Sequence, residues 1–157
     1  MKPYNPGGHS AYQDRVLAQL RKYYPDAVSS LPASTWAVME KFWNLDLSGM
    51  DSLMADRYSD FGPAPRLPSD MLRSILLSVE FKVTSYTRWA ADLKENHLHA
   101  ILSGFPVGDT PGAVPFMIFS AVYGSLTKTT FPIPSTLQRK NPKSRRRKGK
   151  KHLRSRK

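Results

Sequence analysis

The residues of this chain best equipped for chemistry are basic. It carries 24 Lys and Arg against 12 Asp and Glu, a formal net charge of +12. Every acid lies between Asp14 and Asp109, and up to residue 136 the two signs balance. The excess sits in residues 137–157, as Arg139, Lys140, Lys143, Arg145, Arg146, Arg147, Lys148, Lys150, Lys151, Arg154, Arg156 and Lys157. Such a run repels itself and has almost nothing apolar to bury, so it is expected to be disordered. Its natural partner is polyphosphate, because each neutralised phosphate releases counterions. It has no aromatic side chain to stack on a base, so it carries little sequence information. A solvated linker, an anionic membrane surface and a localisation signal are the competing interpretations.

Other chemistry is thinly supplied. There is no cysteine, which excludes disulfides and thiolate metal sites. His97 and His99 are two apart, a spacing that does not share a helix face, and no carboxylate stands at metal spacing from them. A polar helix start explains them better than a metal. Asp92 and Glu95 are expected to form a solvated face or to pair with Arg88 and Lys94, not to act as an acid/base couple. No Gly-x-Ser-x-Gly elbow and no phosphate-binding glycine loop is present. The expectation is a chain with no catalytic residue, no metal and no cofactor. No apolar run approaches the roughly 18 residues of a membrane span, and the first residues lack the apolar core of a secretory signal. An intracellular, cytoplasmic protein is expected.

The elements that would position a basic site are helical. Residues 1–10, with Pro3, Pro6, Gly7 and Gly8, are expected to form a loose arm. Residues 11–58 hold the N-terminal helices. The first carries Val16, Leu17, Leu20 and Tyr24 and ends at Pro25. The second, capped by Ser34, carries Trp36, Met39, Phe42 and Trp43, a core stripe more than a base-stacking platform. A short helix spans Asp46 to Tyr58, and the prolines near Pro63 then break the pattern.

Residues 59–128 form the central unit. Ser69 is the expected cap of a helix whose stripe is Met71, Leu72, Ile75, Leu76 and Val79, with Arg73, Ser74, Ser78 and Lys82 turned away. Thr84-Ser85 recaps the chain for a helix burying Trp89 and Leu93 and showing Arg88, Asp92 and Lys94. A short helix from His97 to Ser103 stops at Gly104. Two helices and a turn, with a third close behind, satisfy a helix-turn-helix. Arg73, Arg88 and Lys94 are the basic residues expected at its surface. A Gly/Pro-rich elbow, Phe105 to Gly112, leads to a last helix from about Val114, with Pro115 tolerated near its start and Phe116, Phe119, Val122, Tyr123 and Leu126 on one face. Residues 129–157 are a Pro-containing linker and the basic tail. The fold class is therefore all-α, a small helical bundle with a helix-turn-helix-like unit and a disordered basic tail.

Several of these residues resemble a known family. Phe61-Gly62, Pro65-Arg66 and Leu72-Arg73-Ser74-Ile75-Leu76-Leu77 resemble the opening of the N-terminal domain of DDE-type insertion-sequence transposases. Gly108-Asp109-Thr110-Pro111-Gly112, followed by Phe116, Phe119 and Leu126, resembles the segment that closes it, and the Lys/Arg-rich tail resembles the linker that follows. Pro115, Ile118 and Ser125 stand where such transposases usually have a small or hydroxyl residue, an Asp and an Arg. The resemblance implies a helical domain that holds a transposon end. Its implied partners are double-stranded DNA and full-length transposase subunits, with no membrane and no small-molecule substrate. The family's RNase H-like catalytic domain should follow the linker, and no acid follows Asp109 to supply its metal-binding carboxylates. The expectation is a chain truncated before that domain. The alternative is a helical protein-interaction module whose tail gives general affinity for DNA or RNA.

Overall fold

A computed structural model describes residues 8–27, 31–57 and 66–130, with side chains of the last helix to Ser125. Within these residues the chain is all-α. The order is α1 (Gly8–Tyr23), α2 (Ala33–Trp43), α3 (Gly49–Met54) with a 3-10 turn at Ala55–Arg57, α4 (Pro68–Glu80), α5 (Tyr86–Glu95), α6 (His97–Ser103) and α7 (Ala113–Thr130). No strand occurs among the described residues, and no helix there is long and apolar enough to cross a membrane. Residues 1–7, the connector at Ser29-Ser30, the loop at 58–65 and the expected basic tail lie outside the described residues.

α1 begins earlier than its periodicity suggests. Gly8, at φ 67°, turns the chain into the helix, so residues 8–10 are helical and do not belong to a loose arm. His9 stacks on Tyr12 and bonds Gln13, which also donates to the Trp43 carbonyl. These local contacts outweigh the glycines before them. Tyr12 and Val16 are buried, and Tyr12 donates its hydroxyl to the Leu102 carbonyl at 2.9 Å. Gln19 donates to the Phe105 carbonyl and accepts from the Val107 amide, which fastens α1 to the chain after α6.

α2 starts one residue before Ser34, after an extended Pro32, and Ser34 does not cap it. Proline suits a helix start because its missing N–H would have no partner there. α3 is shorter than the Asp46 to Tyr58 expected. Asp46 accepts the Ser48 amide at 2.9 Å, which holds the chain in a turn before it.

α4 departs most from the expected pattern. Leu67 precedes it and Pro68 occupies its first turn, so Ser69 is inside the helix. The cap comes from another helix: Asp51 of α3 accepts the Ser69 amide at 2.8 Å and the Ser69 hydroxyl at 2.9 Å. A carboxylate there also meets the positive end of the helix dipole. The face turned inward carries Asp70, Arg73, Ser74, Leu77 and Ser78, while Leu76 and Val79 reach solvent. Leu72 and Ile75 pack only partly against the core.

The remaining helices follow their signals. Ser85 accepts the Arg88 amide, and Asn96 accepts the Leu98 amide at 3.1 Å, so each begins with a side-chain cap. α6 ends at Gly104, φ 94°, with the Phe105 amide bonded to the Ala100 carbonyl and the Gly104 amide to Ile101. Pro115 is the third residue of α7, within the turn whose amides have no helical partner. Met39 and Phe42 of α2, Met54 of α3, Met71 and Leu77 of α4, Trp89 and Leu93 of α5, Leu98 and Leu102 of α6, Phe105, and Phe116 and Phe119 of α7 share one core.

Candidate nucleic-acid interface

α5 presents a candidate surface for a polyanion. Its inner side is anchored at three points. Trp89 is fully buried and donates its indole N–H to the Ser74 hydroxyl at 2.9 Å. Leu93 fills the core beside it. Tyr86 stacks on Phe116 of α7 and shares a 2.7 Å hydrogen bond with Ser120. The outer side shows Thr87, Arg88, Ala91, Lys94 and Glu95, all exposed, with Thr84 and Ser85 just before them. Lys82 is exposed in the preceding turn at φ 58°. Neither Arg88 nor Lys94 has an ion-pair partner among the described residues. Both stand at the surface, as their spacing predicts.

Arg73 does not belong to this surface. It is 1% exposed, donates to Asp70 at 3.0 Å, and its guanidinium lies 3.5 Å from the centre of the Tyr12 ring. Periodicity alone places it at the surface, because a guanidinium in a core is costly unless paired. Here Asp70, three residues earlier in the same helix, supplies the ion pair, and Tyr12 of α1 covers the guanidinium. Asp70 also accepts from Arg15 of α1, at 2.9 and 3.1 Å to its two oxygens. Ser74 is buried for the same kind of reason, since Trp89 supplies its partner. Ser78 turns its hydroxyl onto the Ile75 carbonyl of its own helix at 2.7 Å.

Burial dominates the electrostatics of this internal cluster. It raises the Asp70 carboxyl to about 6, against the lowering pull of Arg15 and then Arg73. It pushes the Tyr12 phenol up to about 12, and it lowers the Arg73 guanidinium. Tyr12, Arg15, Asp70 and Arg73 thus form a structural knot between α1 and α4.

The acidic pair of α5 is also resolved differently. Asp92 pairs with His99 of α6, not with Arg88 or Lys94, because the Asn96 turn brings α6 back alongside α5. His99 is further held between Trp89 and Phe81, and His97 meets the edge of Tyr23. No group of three His, Cys, Asp or Glu among the described residues is placed to hold a metal ion.

Two other features lie on other elements. Arg66 and Asp109 join the chain before α4 to the elbow before α7. Between α1 and α2 lies a cleft of about 570 Å³, lined by Tyr12, Leu20, Tyr24, Trp36, Met39 and Trp43 among others. Trp36 of the expected core stripe is partly exposed at its rim, whereas Met39 and Phe42 are buried.

Thr87 and Ala91 were not singled out by charge or motif. Their signal was spacing: Thr87, Arg88, Lys94 and Glu95 lie four and three residues either side of Ala91. The twelve basic residues from Arg139 to Lys157 lie outside the described residues. No family model, no curated protein and no solved structure matches the chain.

Proposed function

We propose that this chain is the DNA-binding part of an insertion-sequence transposase, holding a transposon end in DNA transposition and performing no chemistry itself. α4, α5 and α6 serve as the helix-turn-helix-like unit, and double-stranded DNA is the partner. One observation carries this interpretation: α5 is fixed on its inner side by Trp89, Leu93 and Tyr86, and presents Arg88 and Lys94, which have no ion-pair partner among the described residues, on its outer side. A rigid helix with exposed basic residues is what groove recognition needs. The basic residues of 137–157 add affinity that does not depend on sequence. The motifs around Phe61, Leu72 and Gly108 supply the family resemblance. The site of action is the cytoplasmic nucleoid.

The test is binding of the full chain to duplexes carrying candidate transposon ends, against scrambled duplexes of equal length, at several salt concentrations. Selective binding that weakens in R88A and K94A supports the proposal. Equal binding to all sequences, unchanged in both variants, overturns it. A second assay incubates the chain with Mg²⁺ or Mn²⁺ and supercoiled DNA. Metal-dependent nicking that persists through purification overturns the non-catalytic role.

A second interpretation has its own observation. Val79 of α4 and Val114, Met117 and Ile118 of α7 are all more than half exposed. Apolar side chains at a surface suit a protein-interaction module. Under that interpretation the chain binds nucleic acid only through its basic tail, and deleting residues 137–157 abolishes binding altogether.

A further inference from the structure

Resting on the DNA-binding interpretation, we infer that α5 enters the major groove of duplex DNA with its N-terminal half foremost, Ala91 at the centre of contact and Arg88 reading a guanine edge. Ala91 is the middle of the exposed face. Its neighbours one turn before are Thr87 and Arg88, and one turn after are Lys94 and Glu95, all exposed. A methyl group at the centre lets the helix backbone come close to whatever it meets. A face built to dock another protein would instead centre on a large aromatic or aliphatic anchor.

The polar groups around that methyl suit base edges. An arginine fork matches the two acceptors of guanine, and alanine and threonine methyls suit the methyl of thymine. Ten residues of helix span about 15 Å, comparable with the major-groove width of about 12 Å. The outer residues Thr87, Arg88, Ala91, Lys94 and Glu95 include no aromatic side chain, so this face offers nothing for unpaired bases to stack on. That favours duplex over single strands.

Charge sets the direction of entry. Lys82 and Arg88 flank the N-terminal end, where the nearby acids are already engaged, Glu80 by Lys41 and Asp92 by His99, and the positive end of the helix dipole lies there too. At the C-terminal end Glu95 stands next to Lys94 and cancels it. Phosphates are therefore drawn to the Lys82–Arg88 end. The inner anchors of α5, Trp89 on Ser74 and Tyr86 on Ser120, lie on other faces, so changes at 88 and 91 leave them intact.

The experiment selects preferred duplexes from a randomised pool with the full chain, then measures the parent, R88A and A91F on the selected duplex, on single-base variants and on its separated strands. R88A is expected to reduce discrimination at one or two adjacent positions by about tenfold or more. A91F, which blocks close approach, is expected to lower affinity for the selected duplex about tenfold while leaving the melting temperature within a degree or two. A parent that selects a duplex, with R88A and A91F equally selective, overturns the assignment to α5 and leaves DNA binding standing. Preference for separated strands overturns the groove geometry. A parent that selects nothing overturns the DNA-recognition role itself, and this assignment with it.

Discussion

Arg66 grips Asp109 across 43 residues of chain. One guanidinium nitrogen donates to the Asp109 carboxylate at 2.5 Å, and the other donates to its backbone carbonyl at 2.9 Å and to the carboxylate at 3.3 Å. The guanidinium also sits 5.6 Å over the Phe105 ring. The pair therefore closes the segment that contains α4, α5 and α6, tying its entrance to its exit. The hydrogen bonds from Arg66, more than its charge, hold the Asp109 carboxyl below the usual carboxylate range.

R66A should loosen this closure. The carboxylate is largely exposed, so water and salt screen the pair and its worth is about 0.2–1 kcal/mol. Thermal melts of parent and R66A at low and high salt should differ by a few degrees at most, and less at high salt. Because the Asp109 pKa is depressed on folding, this contribution is present above about pH 4 and is lost as pH falls below it. An R66A drop of ten degrees would mean that the elbow depends on this residue far more than a surface pair allows.

Arg73 should behave as a core residue. Its removal leaves Asp70 buried with Arg15 alone and uncovers the Tyr12 ring, so R73A should cost about 3–5 kcal/mol by urea unfolding. At temperatures where R73A remains folded, its preference among DNA sequences should equal the parent's. A flattened preference in a folded R73A chain would place the guanidinium at the interface after all.

Asp70 predicts a pH-dependent stability. Its folded pKa is raised to about 6, above the 3.8 of an ordinary aspartate. A raised folded pKa means the stabilising contribution is complete below about pH 4 and is lost as pH climbs through 6. The shift corresponds to about 3 kcal/mol across that window. D70N cannot titrate, so the stability difference between parent and D70N, measured from pH 4 to 7, should narrow or reverse by that order. A constant difference across the window would show that Asp70 is already ionised at pH 4.

Gly104 should tolerate no side chain. Its φ of 94° is strained for other residues, and a Cβ there would stand 2.5 Å from an Asp70 carboxylate oxygen. G104A should therefore destabilise by about 2 kcal/mol or more, through backbone strain and displacement of Asp70. G108A is the informative control: Gly108 also has positive φ, at 89°, but open space around it, and should lose less. Equal losses would remove the role of the Asp70 contact.

The basic run of 137–157 should set the salt dependence of DNA binding. If it neutralises 6–10 phosphates, affinity falls by about 10³–10⁵ between 50 and 200 mM salt. Deleting Leu137 onward should remove most of that slope and leave the choice among sequences to Arg88 and its neighbours. An unchanged slope in the shortened chain would move the phosphate contacts onto α1 to α7.

Local chemistry was sufficient for much of this architecture. Ser85 and Asn96 before apolar periods, Gly104 after one, and prolines at Pro25 and Pro111 mark ends that depend only on neighbouring residues. Trp89 and Leu93 are buried with Arg88 and Lys94 opposite, because a single helix turn relates them. The surface of α5 was therefore legible in one dimension.

α4 was not. Its apolar positions Leu72, Ile75, Leu76 and Val79 form a plausible inner stripe, yet the helix is rotated so that Asp70, Arg73, Ser74 and Ser78 face inward. Three of these four meet groups distant in sequence: Arg15 pairs with Asp70, the Tyr12 ring covers Arg73, which Asp70 pairs locally, and Trp89 donates to Ser74. Periodicity weighs each side chain against water. Whether a buried charge or hydroxyl is tolerable depends on a partner 15 to 61 residues away, and only the packed structure brings that partner within reach. The sequence alone determined that the chain is helical, roughly where its helices lie, and that its excess charge is basic and gathered in residues 137–157. The tertiary structure decided which of three candidate arginines and lysines, Arg88 and Lys94 but not Arg73, remain free to meet a phosphate or a base.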